Sequence, residues 1–237
     1  MKNAPEIALS PKMQTKPQEL RQGLTKLRAG VMGANDGIIS TAGMVIGVSG
    51  AQKPLSTVLI AGVFMILAGA LSMAGGEYVS VSSQKDMQQA NFTRLNHLMS
   101  THPEAVTDMV KDALLKLGEP DAHATELAQT LVQDQDMAQI QQLIYGSSSL
   151  ASLDPITAAL SDGIAFVLGA IIPLLCIALL PPAIKVIGTM GSVLLCLALT
   201  GFISAKFGKA NVKRSLWRNV AIGTLTMMTT YIVGIMW

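Results

Sequence analysis

The sequence predicts an all-α membrane protein with five transmembrane helices and a small cytosolic helical domain inserted between helices 2 and 3. Half of the 237 residues are hydrophobic and only 14% are charged, and the mean hydropathy of +0.46 lies above that of a soluble domain. The charged residues are also unevenly placed, because long stretches carry one or none. A bilayer core about 30 Å thick needs about 20 apolar residues per helix, so we expect these stretches to span it.

The apolar stretches follow one another in two groups, separated by a polar block. The links after the first and third stretches are short and contain Pro54 or the pair Pro181 and Pro182. Each group should therefore begin with an antiparallel helical hairpin. The five stretches are Leu27–Ala51, Leu55–Ser83, Thr157–Leu180, Ala183–Ala205 and Asn219–Trp237.

Four segments result from this division. The first 20 residues, Met1–Leu20, are polar, contain three prolines and lack the apolar core of a secretory signal, so we expect them to form a disordered cytosolic tail. The segments are the tail at 1–26, the hairpin of the first two spans at 27–84, the cytosolic helical domain at 85–156, and the last three spans at 157–237.

The distribution of lysine and arginine predicts the orientation. Of the 17 basic residues, only Lys53 and Lys185 fall on the side opposite to the tail, the central block and the last loop. Because basic residues are enriched in short cytoplasmic loops, the N-terminus should be cytosolic and Trp237 should lie at the far interface.

The central block predicts amphipathic helices of the soluble type. The clearest one runs from Pro103 to Leu117 and ends at Gly118, because its apolar residues recur at helical spacing. A second helix should begin near Asp121, and a third should run from about Asp136 to Gly146. The second span should continue outward as a helix through Asp86–Leu98.

Acidic side chains inside predicted spans are the strongest indication of function. Asp36 lies in the first span and Glu77 in the second. A carboxylate near the bilayer centre costs about 2.5 to 3.5 kcal/mol on insertion scales, whereas a leucine returns only about 0.3 to 0.6 kcal/mol. An acid retained there despite this cost predicts a functional site.

Each of the two acids shares a face of its own helix with methionines. Carboxylate and hydroxyl oxygens suit divalent cations, and a thioether favours softer transition metals over magnesium or calcium. Two symmetry-related copies would provide a coordination shell at a dimer axis. The stripes, spaced four residues apart, are Met32, Asp36 and Ser40 on the first span, and Met65, Gly69, Met73 and Glu77 on the second.

Structural explanations also exist for these residues. Methionine at helical spacing usually serves packing, and an acid near the end of a span can stay solvated at the interface. Many glycines, between Gly30 and Gly47 and between Gly62 and Gly76, indicate that both helices approach another backbone closely. This pattern predicts a packed, oligomeric interface independently of any metal.

Two segments of these spans resemble a known family. Gly33-Ala-Asn-Asp-Gly37 with Ser40-Thr41, and Ala70–Ser80 with its Gly75-Gly-Glu-Tyr78, are similar to the hallmark segments of the vacuolar iron transporter family, of the bacterial or nodulin-like type. Phe166–Pro173 in the third span supports the match. The resemblance covers the first two spans closely and is compatible with five spans.

This resemblance implies a homodimer that exports Fe²⁺ or Mn²⁺ from the cytosol in exchange for protons, with the metal path between the first two spans of each subunit. It also implies a bacterial inner membrane, or a vacuolar membrane if the protein is eukaryotic. The family's pore aspartate matches Asp36, its pore methionine matches Met73, and Glu77 occupies the acidic position of the bacterial and nodulin-like motif. Met32 and Ser40 complete the predicted pore set. The metal is cargo, so no permanently bound cofactor is expected.

The central block departs from the family, whose members often carry metal-collecting glutamates there. Its first helix keeps Asp86 as the only acid. Glu104, Asp108 and Asp112 lie four residues apart on the next helix, which suits cation capture, but a solvated face is the favoured explanation. We therefore expect weakened or altered metal collection by this domain.

Asp162, near the start of the third span, is unusual for the family. It is a proton-relay candidate, because metal ligands exchange protons when they coordinate. Alternatively, the helix macrodipole favours an acid at a helix N-terminus. The residues leave both explanations open.

Two functions fit these observations. The first is a secondary metal transporter, and the alternative is a non-transporting metal sensor or scaffold with a degenerate metal-binding domain. The sequence lacks GxxxxGK[ST], HExxH and GxSxG, which argues against ATP drive and against an enzyme. Nucleic-acid binding is not expected, because the basic residues follow the membrane surface, where topology and lipid head groups explain them.

Overall fold

The computed structural model describes residues 11–146, 154–208 and 210–237, with side chains described from Gly30 onward. This part of the chain is helical, as predicted. Its eight helices are α1 (Pro11–Gly50), α2 (Leu55–Thr101), α3 (Pro103–Lys116), α4 (Asp121–Gln133), α5 (Met137–Tyr145), α6 (Pro155–Leu179), α7 (Lys185–Phe207) and α8 (Val212–Ile235).

The chain divides into two compact units. We call the first, which runs up to Tyr78 and resumes at Ile156–Trp237, the membrane unit. The second, Val79–Pro155, is the inserted unit, and its bounds lie close to the predicted 85–156. Each unit has its own buried apolar core.

Four helices are long and apolar enough to cross a membrane: α1 from Gly30 onward, α2, α6 and α7. Helix α8 has 24 residues and is less apolar, because Arg218 and Asn219 lie near its start and four threonines lie among its apolar residues. Three of these hydroxyls donate to carbonyls of their own helix, Thr224 to Val220 at 2.7 Å, and Thr226 and Thr230 likewise. Such bonds satisfy the hydroxyl internally and reduce its cost in an apolar solvent.

Close approaches at glycines define the direction of the helices in the membrane unit. Gly33 of α1 lies against Asp162 of α6, and Gly37, one turn later, lies against Phe166. A step of four residues along α1 corresponds to a step of four residues in the same direction along α6, so the two helices run parallel. Gly69 of α2 lies against Phe166, whereas the earlier Gly62 lies against Leu174, so α2 runs antiparallel to α6.

Helix α8 packs along α1 in the same direction. Gly43 contacts the methyl group of Thr226, and Gly50, two turns later, contacts Tyr231. Helix α7 runs opposite to α8, since Gly201 lies against Ser215 while Gly223 lies against Leu197. Helices α1, α6 and α8 therefore point one way, and α2 and α7 point the other way.

The inserted unit confirms the predicted amphipathic helices. Helix α3 begins at Pro103 and ends at Lys116, and Gly118 takes the left-handed φ of 93° that turns the chain. Asp136 caps α5 by accepting a hydrogen bond from the Gln139 N–H at 3.1 Å, and Gly146 ends it with φ 67°. The core contains Leu95, Val106, Val110, Leu114, Ala124, Ala128 and Ile140.

Two helices begin earlier than the apolar pattern predicted. Helix α1 begins at Pro11, so the disorder predicted for residues 1–20 is wrong from Pro11 onward, and residues 1–10 lie outside the described residues. Good helix formers such as lysine, glutamine and leucine make up most of residues 11–26, despite Pro17 and Gly23, and apolar content says nothing about them. Helix α8 begins at Val212, seven residues before the predicted Asn219, because Asn211 caps it through the Arg214 N–H at 3.2 Å.

Candidate functional site

The predicted stripe on α1 lies on an open face of the single chain. Asp36 is exposed, and the Ser40 hydroxyl donates a hydrogen bond of 2.9 Å to its carboxylate. Met32 is 56% exposed, and Met44, one turn beyond Ser40, is 38% exposed. A single face of a bilayer-length helix thus carries thioether, carboxylate, hydroxyl and thioether in succession.

Asn35, the neighbour of Asp36, faces the protein interior. Its side-chain oxygen accepts hydrogen bonds from the Thr200 hydroxyl of α7 at 3.2 Å and from the Asn219 amide of α8 at 3.4 Å. Sequence reasoning did not assign this cluster. Asn35 was visible as a polar residue in a span, but Thr200 lies in an apolar run and gave no signal.

Met73 and Glu77 lie on α2 and are half-buried. Their helix approaches α6 closely, because a Cβ atom at Gly69 would overlap the Phe166 ring. Ala74 lies 3.1 Å from the position that a Cβ at Gly163 would take. The α2 stripe is thus more covered than the α1 stripe.

Among the described side chains of the membrane unit, Asp162 is the most buried acid, at 3% exposure. A Cβ atom at Gly33 would lie 2.5 Å from its Oδ1, and no hydrogen-bond donor reaches that oxygen. The charges that act on it are those of Glu77 and Asp36. The first turn of α6 contains no acid, so the macrodipole explanation, which applies to the first turn, does not account for Asp162.

The three acids within the predicted spans, Asp36, Glu77 and Asp162, do not form a ready-made metal centre. Within the described ranges, no three histidine, cysteine, aspartate or glutamate side chains come together as a metal-ligand group. A cation held by Asp36 therefore needs ligands of another kind or from another chain.

The predicted collecting residues of the inserted unit are exposed and separate. Asp86, Asp108 and Asp112 have exposed side chains. Glu104 lies 3.3 Å from His102 Nδ1. A hydrogen bond from its own backbone N–H lowers the pKa of the Glu104 carboxyl below its ordinary value; loss of solvation opposes this shift, and the neighbouring His102 adds to it.

The membrane unit thus defines a polytopic helical membrane protein with carboxylates inside its spans. Residues 27–235 match the VIT family. The chain is 36% identical over 209 residues to a vacuolar iron transporter of Acanthamoeba castellanii, covering 88% of this chain and 77% of that protein. It is 31% identical over 206 residues to vacuolar iron transporter homolog 4 of Arabidopsis thaliana, covering 86% and 80%.

Vacuolar iron transporter homolog 1 of Oryza sativa subsp. japonica is 32% identical over 206 residues, covering 86% of this chain and 71% of that protein. This chain therefore belongs to the VIT family, which confirms the resemblance. Members of the family are transporters, so the prediction that the chain is not an enzyme is also confirmed.

Proposed function

We propose that this protein is a homodimeric secondary transporter that exports Fe²⁺ or Mn²⁺ from the cytosol in exchange for protons. The single observation that carries the proposal is the open stripe of Met32, Asp36 and Ser40 on α1. The names of the relatives, vacuolar iron transporters, support iron as a substrate.

The exposed stripe on α1 supports a contact with a second copy of the chain at this face. An ionised carboxylate that faced lipid would cost about 2.5 to 3.5 kcal/mol, whereas a cation and a second set of ligands would compensate it. Because the single chain offers no complete ligand group among the described residues, two copies facing each other across α1 would bring two carboxylates and several thioethers together. Met73 and Glu77, half-buried on α2, would extend the path along the same axis.

The ligand types favour first-row transition metals. Carboxylate and hydroxyl oxygens accept any hard divalent ion, and the added thioethers of Met32 and Met73 favour Fe²⁺ and Mn²⁺ over Mg²⁺ and Ca²⁺. Asp162 is the proposed proton carrier, because it is a buried acid under the charge of Asp36 and Glu77 and has an oxygen without a donor.

Helix α8 is the proposed fifth span. It packs along α1 from Gly43 to Gly50 and along α7, and its threonine hydroxyls bond within the helix. Five spans would leave the N-terminus and the inserted unit in the cytosol and the C-terminus on the other side, in a periplasm or a vacuole. The basic residues at the start of α8, Lys213, Arg214 and Arg218, favour the same orientation.

Asp36→Asn tests the function directly. We expect Mn²⁺ or Fe²⁺ flux in proteoliposomes to fall about tenfold or more, since even an outer-shell partner of a metal is worth about 10- to 100-fold in affinity. Glu126→Gln, which removes an exposed acid of α4, is the matched control and should keep its flux. A wild-type chain without flux would instead favour the sensor or scaffold, and an unchanged Asp36→Asn flux would contradict the proposed path.

A further inference from the structure

A hydrogen-bonded cluster links three helices directly behind the open stripe. Asn35 Oδ1 accepts from Thr200 Oγ1 at 3.2 Å and from Asn219 Nδ2 at 3.4 Å. The three residues come from α1, α7 and α8 and are separated by 165 and 184 positions in the chain. Within the described ranges, these are the hydrogen bonds that join side chains of α1 to α7 and α8.

The cluster is built by close packing. A Cβ atom at Gly201 of α7 would lie 3.2 Å from Asn219 Nδ2, so the absence of a side chain there lets α8 bring its amide against α7. All three side chains are partly buried. Hydrogen bonds between helices in such surroundings fix which face of a helix meets its neighbours.

Both donors have a second acceptor. Thr200 Oγ1 lies 3.1 Å from the Leu197 carbonyl, and Asn219 Nδ2 lies 3.5 Å from the same oxygen. Loss of the bonds to Asn35 therefore leaves each donor with a partner. The contacts to Asn35 are thus separable from the packing of α7 on α8.

The position of Asn35 gives these contacts a role at Asp36. Consecutive residues of an α-helix point about 100° apart. When Asn35 is held between α7 and α8, Asp36 is turned toward the open face, where Ser40 donates to it. A rotation of α1 that broke the Asn35 bonds would move the Asp36 carboxylate by the same angle.

We propose that Asn35, held by Thr200 and Asn219, is a positioning residue that fixes the rotation of α1 and thereby directs the Asp36 carboxylate toward the metal. This inference rests on the proposed function, because it assumes that Asp36 binds the cation. Asn35 acts through its neighbour and does not touch the metal.

Thr200→Val tests the inference, since it removes the hydroxyl and keeps the shape of the side chain. We expect the affinity of the full chain for Mn²⁺, measured in detergent, to fall about threefold to tenfold, the usual value of one interhelical hydrogen bond in a membrane protein. The matched control is Thr224→Val on α8, because the Thr224 hydroxyl bonds only within its own helix. Thr200→Ser, which restores the hydroxyl, should restore the affinity.

Asn219→Leu removes the other donor and is measured in parallel, so the result does not depend on one variant. On an Asp36→Asn background, Thr200→Val should cause no further loss of Mn²⁺ affinity, because positioning works only through the Asp36 carboxylate. A general packing defect would lower the affinity on both backgrounds.

Equal affinities of Thr200→Val and Thr224→Val, or a failure of Thr200→Ser to restore binding, would overturn the inference. If Asp36→Asn itself leaves Mn²⁺ binding at the wild-type level, the proposed function fails first. The two failures are therefore distinguishable.

Discussion

At the scale of single residues, neighbours in the chain have opposite surroundings. Asp36 is exposed on the open face of α1, whereas the side chain of Asn35 bonds to α7 and α8. The sequence identified both as polar residues in a span, because such residues are costly in lipid. It did not predict the partners of Asn35, since contacts across 165 or more positions leave no local pattern.

The surroundings of Asp162 could likewise not be predicted from the sequence. Its place in an apolar run predicted an unusual acid and left two explanations open. The choice between them depends on where α6 begins, at Pro155, and on the close approach of Gly33 to Asp162. Only the folded structure provides both observations.

Asp162→Asn should uncouple metal flux from protons. The neutral amide keeps the size of the carboxyl group but cannot release a proton, so we expect Mn²⁺ flux to persist and to lose its stimulation by a pH gradient. Proteoliposome flux with and without the gradient measures this effect. Asp134→Asn in the exposed turn after α4 is the control, and an unchanged response to the gradient would exclude Asp162 as the carrier.

At the scale of helices, glycines set the spacing of the membrane unit. Composition predicted that the first two spans approach another backbone closely, and the approach of Gly37 to the Phe166 carbonyl agrees with this, whereas Gly69 lies against the Phe166 ring. The particular pairs could not be predicted, because hydropathy locates a span along the chain but not its neighbours.

Gly169→Ala should destabilise the membrane unit by about 1 to 3 kcal/mol, the usual cost of overpacking. The added methyl group would overlap the carbonyl oxygen of Ala34 on α1. Gly191→Ala on α7, where nothing lies within 4 Å, is the matched control and should be nearly neutral. Thermal unfolding in detergent compares the two variants, and equal midpoints would contradict the packing of α6 on α1.

The inserted unit was the most predictable part at this scale. Its helices are amphipathic and carry recognisable stop signals, such as Gly118 and Gly146 with positive φ. The role of its acids was less predictable, since a charged ridge looks the same whether it is solvated or binds a cation.

Replacement of the α3 ridge, with Glu104→Gln, Asp108→Asn and Asp112→Asn together, should change the Mn²⁺ affinity of the full chain by less than about twofold, as is typical of exposed charges. The ridge side chains are exposed and belong to no metal-ligand group in the described part of the chain. Calorimetry against the wild-type chain measures this change. Loss of a set of micromolar sites would contradict the prediction that this unit collects metal weakly.

At the scale of the whole molecule, the helix directions agree with the distribution of charge. Helices α1, α6 and α8 run one way, so the links 51–54 and 180–184 lie at one end of the membrane unit and the link 208–211 lies at the other. The sequence located all three links through prolines, glycines and basic residues. The described spans leave the fifth as a prediction, because α8 is less apolar than the others.

Cysteine labelling tests this topology. Lys53→Cys and Ala183→Cys should react with a membrane-impermeant maleimide added outside intact cells, whereas Ala210→Cys should react only after permeabilisation, because it would lie in the cytosol. The parent chain, whose Cys176 and Cys196 are half-buried in helices, is the control for background. Labelling of all three variants from the same side would contradict the alternating directions of the spans. Trp237→Cys tests the fifth span, because it lies after α8 and should also react from outside intact cells. Reaction of Trp237→Cys only after permeabilisation would contradict the five-span arrangement.

The threonines of α8 affect how many membrane spans are assigned to proteins of this kind. A hydropathy scale treats every threonine hydroxyl as if it had no hydrogen-bond partner. The hydroxyls of Thr224, Thr226 and Thr230, however, donate to backbone carbonyls of α8 itself. A survey that relies on hydropathy alone would record an even number of crossings and would assign the chain's two ends to the same compartment. If α8 crosses the membrane as we propose, its omission reverses the inferred destination of any enzyme or fluorophore fused after Trp237.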